Sequence, residues 1–134
     1  MLSRQDASQK GKPELLLRVQ DHSGRGPWRR GLSSQWVDDS RRFDLPSLQK
    51  DFGFNLKPMI DAAFKQGLHL GTAVRGADRF NEWFTAPERV KLAMLGFRIV
   101  DCSSCEVLGE TKWQVLIGSP EPLKHLPLAD SISA

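Results

Sequence analysis

The chain has 134 residues, 40% of them hydrophobic and 26% charged, and a net charge of +3. This length and composition are those of one globular domain and exclude a mostly disordered chain. No run approaches the ~18 apolar residues of a membrane-spanning helix. No membrane partner is therefore predicted. Because two cysteines do not indicate a secreted disulfide scaffold, a cytoplasmic location is predicted.

The first predicted element is a strand that carries an arginine. Residues 1–13 are predicted to be a polar, flexible tail, because they lack the apolar core of a secretory signal and contain few apolar residues. ELLLRVQ (14–20) then predicts a buried strand, with Arg18 on the face opposite Leu17 and Val19. An unpaired buried guanidinium is costly, so Arg18 is predicted either to lie on the solvent side or to be paired.

A loop rich in glycine and arginine follows the strand. DHSGRGPWRRG (21–31) has three glycines, three arginines and a tryptophan in eleven positions. Backbone N–H groups around glycines hold anions, guanidiniums add forked donors, and Trp28 offers a stacking face. The candidate nucleotide-binding residues are Arg18, Gly24, Arg25, Gly26 and Trp28. The alternative is a tight surface turn in which Trp28 covers the core edge and the arginines pair with nearby aspartates.

Residues 32–45 are predicted to be a partly ordered surface segment. Five arginines and four aspartates over 21–45 leave this region nearly neutral, which is not typical of a surface that binds duplex nucleic acid. Tryptophan and arginine are enriched among the residues that dominate protein interfaces. The predicted partner-binding residues are Trp28, Arg29, Arg30, Trp36, Arg41 and Arg42. Nucleic acid is an alternative partner, and it predicts retention that depends steeply on salt.

The middle of the chain predicts short helices around one strand. A helix is expected over 45–54, with Ser47 near its start and Gly53 ending it, and another over 55–67, with Ile60, Ala63 and Phe64 on one buried face. LHLGTAV (68–74) has the period of a strand, and its Gly71 permits close approach by a ligand or backbone.

Two further helices are predicted next. One covers 76–84. The other begins after Thr85, which forms a capping box with Glu88, and this helix ends at Gly96. The inner stripe of that last helix is predicted to be Val90, Ala93 and Met94, with Leu92 and Leu95 widening it.

The C-terminal third is strand-like. Strands are predicted over 97–102, 105–108 and 111–117, with Gly109–Glu110 as a two-residue hairpin turn. Residues 118–134 are predicted to be an extended C-terminal tail, either wrapped on the domain or a loose end. The whole predicts one α+β domain over 14–117, with a small twisted, mostly antiparallel sheet and two to four short helices.

Cys102 and Cys105 form a C-x-x-C pair within a strand-forming run. Zinc needs two more ligands, and the three histidines are scattered along the chain, so no metal is predicted. Two reduced thiols in or beside the sheet are expected.

Two resemblances follow from these segments. RVQDHSGRGPWRRG, then GTAV, FNEWFTAPERVKLAMLGFR and QVLI, resembles short uncharacterised phage and prophage proteins in order over residues 15–117. The layout of an arginine-bearing first strand, a glycine-rich loop and a small-residue strand entering a helix resembles ADP-ribosyltransferases. That resemblance implies Arg18 on the phosphates of NAD, Thr72 ordering the site, and Gln114 where the family has a ribose-orienting glutamate.

Three functions are left open by these patterns. The first is a phage accessory protein that binds a host protein, such as one of host defence, on a transferase-like scaffold with NAD as a possible cofactor. The second is an NAD-dependent mono-ADP-ribosyltransferase, in which Glu110 would have to replace the missing carboxylate, because an amide supplies no charge to the developing oxocarbenium. The third is a nucleic-acid-binding protein.

Overall fold

The structure, a computed structural model, describes residues 15–28, 31–38 and 46–129. Five strands form one antiparallel sheet in the order β3-β1-β2-β5-β4. They are β1 (Leu16–Gln20), β2 (His69–Arg75), β3 (Arg98–Asp101), β4 (Glu106–Glu110) and β5 (Val115–Ser119). The four α-helices in the described part are α1 (Leu48–Phe52), α2 (Leu56–Lys65), α3 (Ala77–Trp83) and α4 (Ala86–Met94). The predicted α+β class with a small antiparallel sheet is confirmed, whereas the predicted tail over 1–13 lies outside the described residues.

Both faces of the sheet are covered, which explains why β1 and β5 are buried along their whole length. On one face, Leu17, Val19 and Val74 pack in a cluster with the large side chains of α3, α4 and the segment after the loop. On the other face, Leu16 and Ile117 pack against Leu123. The core is therefore two layers of side chains separated by the sheet.

The start of α4 agrees with its sequence signature. Thr85 Oγ1 accepts from Glu88 N, and Glu88 Oε1 accepts from Thr85 N at 2.9 Å, so the predicted capping box is present. Gly96 has a φ of +92°, the left-handed conformation expected where a helix ends at glycine.

The predicted inner stripe of α4 is wrong. Val90 and Met94 are exposed, Met94 by 82%, whereas Leu92 is buried. The reason is the tertiary contact of the cap: Glu88 is buried, and its Oε2 accepts from Asp38 N at 2.8 Å. Leu92, one turn after Glu88, therefore faces the core, and the predicted stripe points outward.

The helices before β2 begin and end as expected, but one buried residue was misplaced. Ser47 caps α1 by accepting from Lys50 N, and Gly53 ends it with a φ of 59°. In α2, Ala63 is fully buried, as predicted, whereas Phe64 is exposed. The sheet covers only a narrow side of α2, and Phe64 lies beyond that side.

The hairpin between β4 and β5 turns later than predicted. Gly109 and Glu110 belong to β4, and the turn is closed by Thr111 N donating to Gln114 O at 3.0 Å. A β-bulge separates Val107 from Gly109. A Cβ at Gly109 would overlap Met59 Sδ, so this glycine makes room for α2 rather than for a turn.

Residues 118–129 are packed onto the sheet, as the wrapped alternative for the tail expects, but regular structure continues past 117. β5 runs through Ser119, a 3₁₀ turn at Leu123–His125 buries Leu123, and Leu128 bridges to Val100. The sequence did not reveal this because prolines interrupt any regular period here. In the described part of the chain, no helix has the length and apolarity needed to cross a bilayer.

Candidate functional site

Arg18 is a buried cation at the centre of the candidate site. Its side chain donates from Nε to Gln20 Oε1 at 2.9 Å, from Nη1 to Thr72 O at 3.0 Å and from Nη2 to Gly24 O at 3.0 Å. All three acceptors are neutral. These bonds use three of the five N–H groups of the guanidinium and leave one on each terminal nitrogen.

No carboxylate of the described ranges forms an ion pair with Arg18, which is only 8% exposed. Burial lowers the pKa of Arg18 from its ordinary value, and the weaker fields of Cys102, Cys105 and Asp21 oppose that effect. The expectation of a solvated or paired arginine is therefore wrong in both forms. The side chain is buried, and hydrogen bonds to neutral oxygens hold it without a counterion.

The gap between β1 and β2 explains how Arg18 is accommodated. The two strands pair only at Leu16↔Arg75 and Leu17↔Val74, and beyond this point Nη1 of Arg18 donates to the carbonyl of Thr72. Gly71 is the residue that gives the guanidinium its space. A Cβ at Gly71 would lie 3.0 Å from Nη1 of Arg18 and 2.8 Å from Cδ1 of Leu123. The close approach predicted at Gly71 is thus made by side chains.

A concave pocket of about 240 Å³ opens next to this guanidinium, and we call it the Arg18 pocket. Its walls are mostly apolar or aromatic, with three polar residues among them. It is lined by Leu17, Arg18, Val19, Gly26, Pro27, Trp28, Thr72, Ala73, Val74, Trp83, Phe84 and Gln114. The structure therefore brings Arg18, Thr72 and Gln114 together, with Gly26 and Trp28 of the loop beside them. What these residues bind stays a prediction.

The aromatic wall of the pocket is rigidly supported. Trp28 packs edge-on against Trp36, with ring centroids 4.6 Å apart, and lies 6.3 Å from both Trp83 and Phe84. Trp36 Nε1 donates to Pro27 O at 3.2 Å, which ties the loop to the core. Trp28 remains 47% exposed, so part of its ring is open to a ligand.

The loop before Trp28 is held by its own aspartate. Asp21 Oδ1 accepts from Ser23 N, Ser23 Oγ and Arg25 N at 2.8 to 3.0 Å. Gly24 adopts a φ of 90° and directs its carbonyl at Arg18. Of the predicted nucleotide-binding residues, Arg18, Gly26 and Trp28 line the pocket, and Gly24 supports Arg18. Arg25 is exposed and does not line the pocket.

The predicted partner surface is only partly present in the described residues. Trp36 has no exposed area, so its assignment to a partner-binding surface is wrong. Its indole is needed inside the core, where it contacts Trp28 and Phe84. Arg29, Arg30, Arg41 and Arg42 lie outside the described residues.

Glu110 does not reach the Arg18 pocket. It forms a two-pronged ion pair with Arg75, with Nε to Oε2 at 2.6 Å and Nη2 to Oε1 at 2.9 Å. The carboxylate that the sequence analysis missed is Asp51 of α1. Its Oδ2 accepts from Thr111 Oγ1 at 2.5 Å and from Gln114 Nε2 at 3.0 Å. No local pattern linked Asp51 to Gln114, because α1 and β5 meet only in the fold.

Cys102 and Cys105 flank the turn between β3 and β4 rather than lying inside a strand. Both are free thiols, and Cys105 N donates to Cys102 O at 2.9 Å. Burial is the main cause that raises the pKa of both thiols, to about 12 for Cys102. Both are therefore protonated and weakly nucleophilic at neutral pH.

Stability is expected to fall above pH 9, partly because of Cys102. Its thiol has an ordinary pKa of 9.0, raised to about 12 in the fold. A raised pKa stabilises the fold fully below 9, and this contribution is lost as pH rises toward 12, because the unfolded chain deprotonates first. The loss between pH 8 and 10 is about 1 kcal/mol. Urea denaturation with a reductant should show a shallower decrease for Cys102→Ala than for wild type, and equal slopes would contradict this.

Comparison with protein-family models, with curated protein sequences and with solved structures finds no match to this chain. The resemblances to phage proteins and to ADP-ribosyltransferases consequently stay predictions from the sequence. The function is inferred from the geometry of the Arg18 pocket.

Proposed function

We propose that the protein binds a nucleotide in the Arg18 pocket, either NAD or one of its mononucleotide halves, without transferring a group. The observation that carries this proposal is Arg18, a buried cation whose partners among the described residues are all neutral and which borders a pocket. An anion would offset the cost of desolvating the guanidinium, and the remaining N–H on each terminal nitrogen offers a fork suited to phosphate.

The walls and size of the pocket support a nucleotide over a simple anion. Trp28, Trp83 and Phe84 supply aromatic surface for a planar ring. The volume of about 240 Å³ is slightly below the roughly 300 to 1,000 Å³ of sites that enclose drug-sized ligands. A mononucleotide suits this space better than a whole dinucleotide, so the second half of NAD would extend past Trp28 into solvent.

Binding rather than transfer is proposed because of the polar groups that line the pocket. Among the described lining residues none is a carboxylate, and Glu110 is engaged with Arg75 elsewhere. A transferase would need negative charge near the ribose to stabilise an oxocarbenium transition state. NAD incubated with the protein is therefore expected to remain intact.

Calorimetric titration with NAD, nicotinamide mononucleotide and AMP tests the proposal. Wild type is expected to bind at least one of them at micromolar to millimolar concentration. Arg18→Lys keeps the charge but loses the fork, so its affinity should fall about tenfold or more. Arg18→Met should abolish binding, and circular dichroism would establish that each variant is folded.

Arg98→Met is the matched control, because Arg98 is an exposed arginine of β3 that borders a different groove. Its affinity should equal that of wild type. No heat with any of the three nucleotides at millimolar concentration would overturn the proposal. Equal binding by the folded Arg18 variants and by wild type would overturn it as well.

A second candidate function is docking on a host protein through the segment that is rich in tryptophan and arginine. The observation in its favour is Trp28, a half-exposed tryptophan with a rigid aromatic support, which is typical of residues that dominate interfaces. A partner retained by wild type should be lost with Trp28→Ala and kept with Phe54→Ala, since Phe54 is a fully exposed aromatic residue of another surface. Equal retention by both variants would contradict docking through Trp28.

A further inference from the structure

In the side-chain amide of Gln114, the nitrogen Nε2 has hydrogen-bond partners, whereas the oxygen Oε1 has none among the described residues. Its Nε2 donates to Asp51 Oδ2 at 3.0 Å and to Pro46 O at 3.3 Å. Both partner atoms, a carboxylate oxygen and a carbonyl oxygen, accept these hydrogen bonds. Both N–H groups of the amide are thereby used, and these two acceptors determine the orientation of the amide.

The oxygen end of the same amide is left for a ligand. No donor in the described part of the chain is bonded to Oε1 of Gln114, although the side chain is only 6% exposed. Gln114 also lines the Arg18 pocket. Because its nitrogen is turned toward Asp51, the oxygen is the polar atom that it can present to the pocket. A buried acceptor without a donor is costly unless a ligand or water satisfies it.

Asp51 is itself held in place, which makes it suitable as an anchor. Its Oδ2 also accepts from the hydroxyl of Thr111 at 2.5 Å, and Thr111 closes the turn between β4 and β5. The carboxylate, the turn and the amide therefore form one connected network behind the pocket. A glutamate at position 114 would place two carboxylates about as close as the present hydrogen bond, and their repulsion would break this network.

We propose that Asp51 is a positioning residue that fixes Gln114 as a hydrogen-bond acceptor and thereby sets the specificity of the Arg18 pocket. The preferred ligand combines an anionic group for Arg18 with an N–H or O–H donor for Gln114. The carboxamide of nicotinamide mononucleotide has such a donor. The carboxylate of nicotinate mononucleotide has the same shape but only acceptors. This inference rests on the proposed nucleotide binding and adds the selection between these two ligands.

The test is the ratio of the dissociation constants of these two mononucleotides, measured by calorimetry. Wild type should bind nicotinamide mononucleotide about tenfold more tightly than the nicotinate form, because the latter places a carboxylate against an acceptor. Asp51→Asn should reduce this ratio to about threefold or less. An asparagine offers Gln114 both an acceptor and a donor, so position 51 no longer enforces one orientation of the amide, and only Pro46 O still favours the present one.

Glu110→Gln is the matched control, since it makes the same acid-to-amide change at a residue that does not line the pocket. It should keep the wild-type ratio. Gln114→Met, which lacks the acceptor, should lose the selectivity as Asp51→Asn does and serves as the second variant. A purely structural role of Asp51 would weaken both ligands together and leave the ratio unchanged.

The outcomes separate this inference from the proposed function. If wild type binds both mononucleotides equally and Arg18→Met binds neither, nucleotide binding stands and the role of Asp51 is overturned. An unchanged ratio in folded Asp51→Asn or folded Gln114→Met overturns it too. If wild type binds neither mononucleotide and does not bind NAD or AMP, both proposals fall.

Discussion

Trp36→Ala is expected to lower the free energy of unfolding by about 3 to 5 kcal/mol. Trp36 is fully buried, packs against Trp28 and Phe84, and donates from its indole to Pro27 O. Alanine would leave a cavity in the aromatic cluster and a carbonyl without its donor. The loss should also release the loop before Trp28 from the core. Urea denaturation followed by far-ultraviolet circular dichroism measures the effect.

Trp28→Ala is the companion variant, because it removes the same side chain from a position that is half exposed. Its cost should be about 1 to 2 kcal/mol, since less apolar area leaves the core. A Trp36→Ala protein as stable as Trp28→Ala would show that Trp36 is not a core residue. Such a result would instead support the prediction from the sequence that Trp36 belongs to a partner-binding surface.

Gly71→Ala is expected to cost about 1 to 3 kcal/mol and to weaken nucleotide binding. The added methyl group would lie 2.8 Å from Leu123 Cδ1, closer than atoms pack, and 3.1 Å from Arg18 Cζ, tighter than most contacts of a Cβ atom. Leu123 is buried, and Arg18 is held by three hydrogen bonds, so neither can move freely. The guanidinium would have to shift, and the remaining N–H groups of Nη1 and Nη2 would change position relative to the Arg18 pocket.

Gly26→Ala is the control for this glycine substitution. A Cβ at Gly26 meets Arg18 Nη2 at 3.8 Å, an ordinary van der Waals distance, so the fold should tolerate it with a change within about 0.5 kcal/mol. Thermal and urea unfolding of the two variants give the comparison. Equal stability of Gly71→Ala and wild type would contradict the packing of Arg18 over this strand.

The ends of the helices could be predicted from sequence because they depend on neighbouring residues. The capping box of Thr85 and Glu88, the cap at Ser47 and the left-handed Gly53 and Gly96 all involve contacts within one turn. The α+β class followed similarly, since the alternation and helix-ending signals are local.

The buried side of α4 was predicted only in part, because the sequence placed Leu92 at the margin of the inner stripe and Val90 and Met94 within it. Periodicity alone allowed Val90 and Met94 to face inward, but the contact of Glu88 with Asp38 turns Leu92 to the core. The turn after β4 was likewise decided elsewhere, because Gly109 is needed beside Met59. In each case the local sequence was compatible with more than one arrangement, and a contact with a residue distant in the chain determined which one forms.

By itself, the sequence determined the class of the fold, the helix ends and the presence of an arginine within an apolar strand. Only the tertiary structure decided that this arginine is buried without a counterion from the described ranges, that Gly71 makes room for it, and that Asp51 holds Gln114 beside the same pocket. The physical reason is that these arrangements depend on gaps and contacts between elements distant in the chain. Charge compensation and the direction of an amide are properties of such contacts, and no spacing along the chain encodes them.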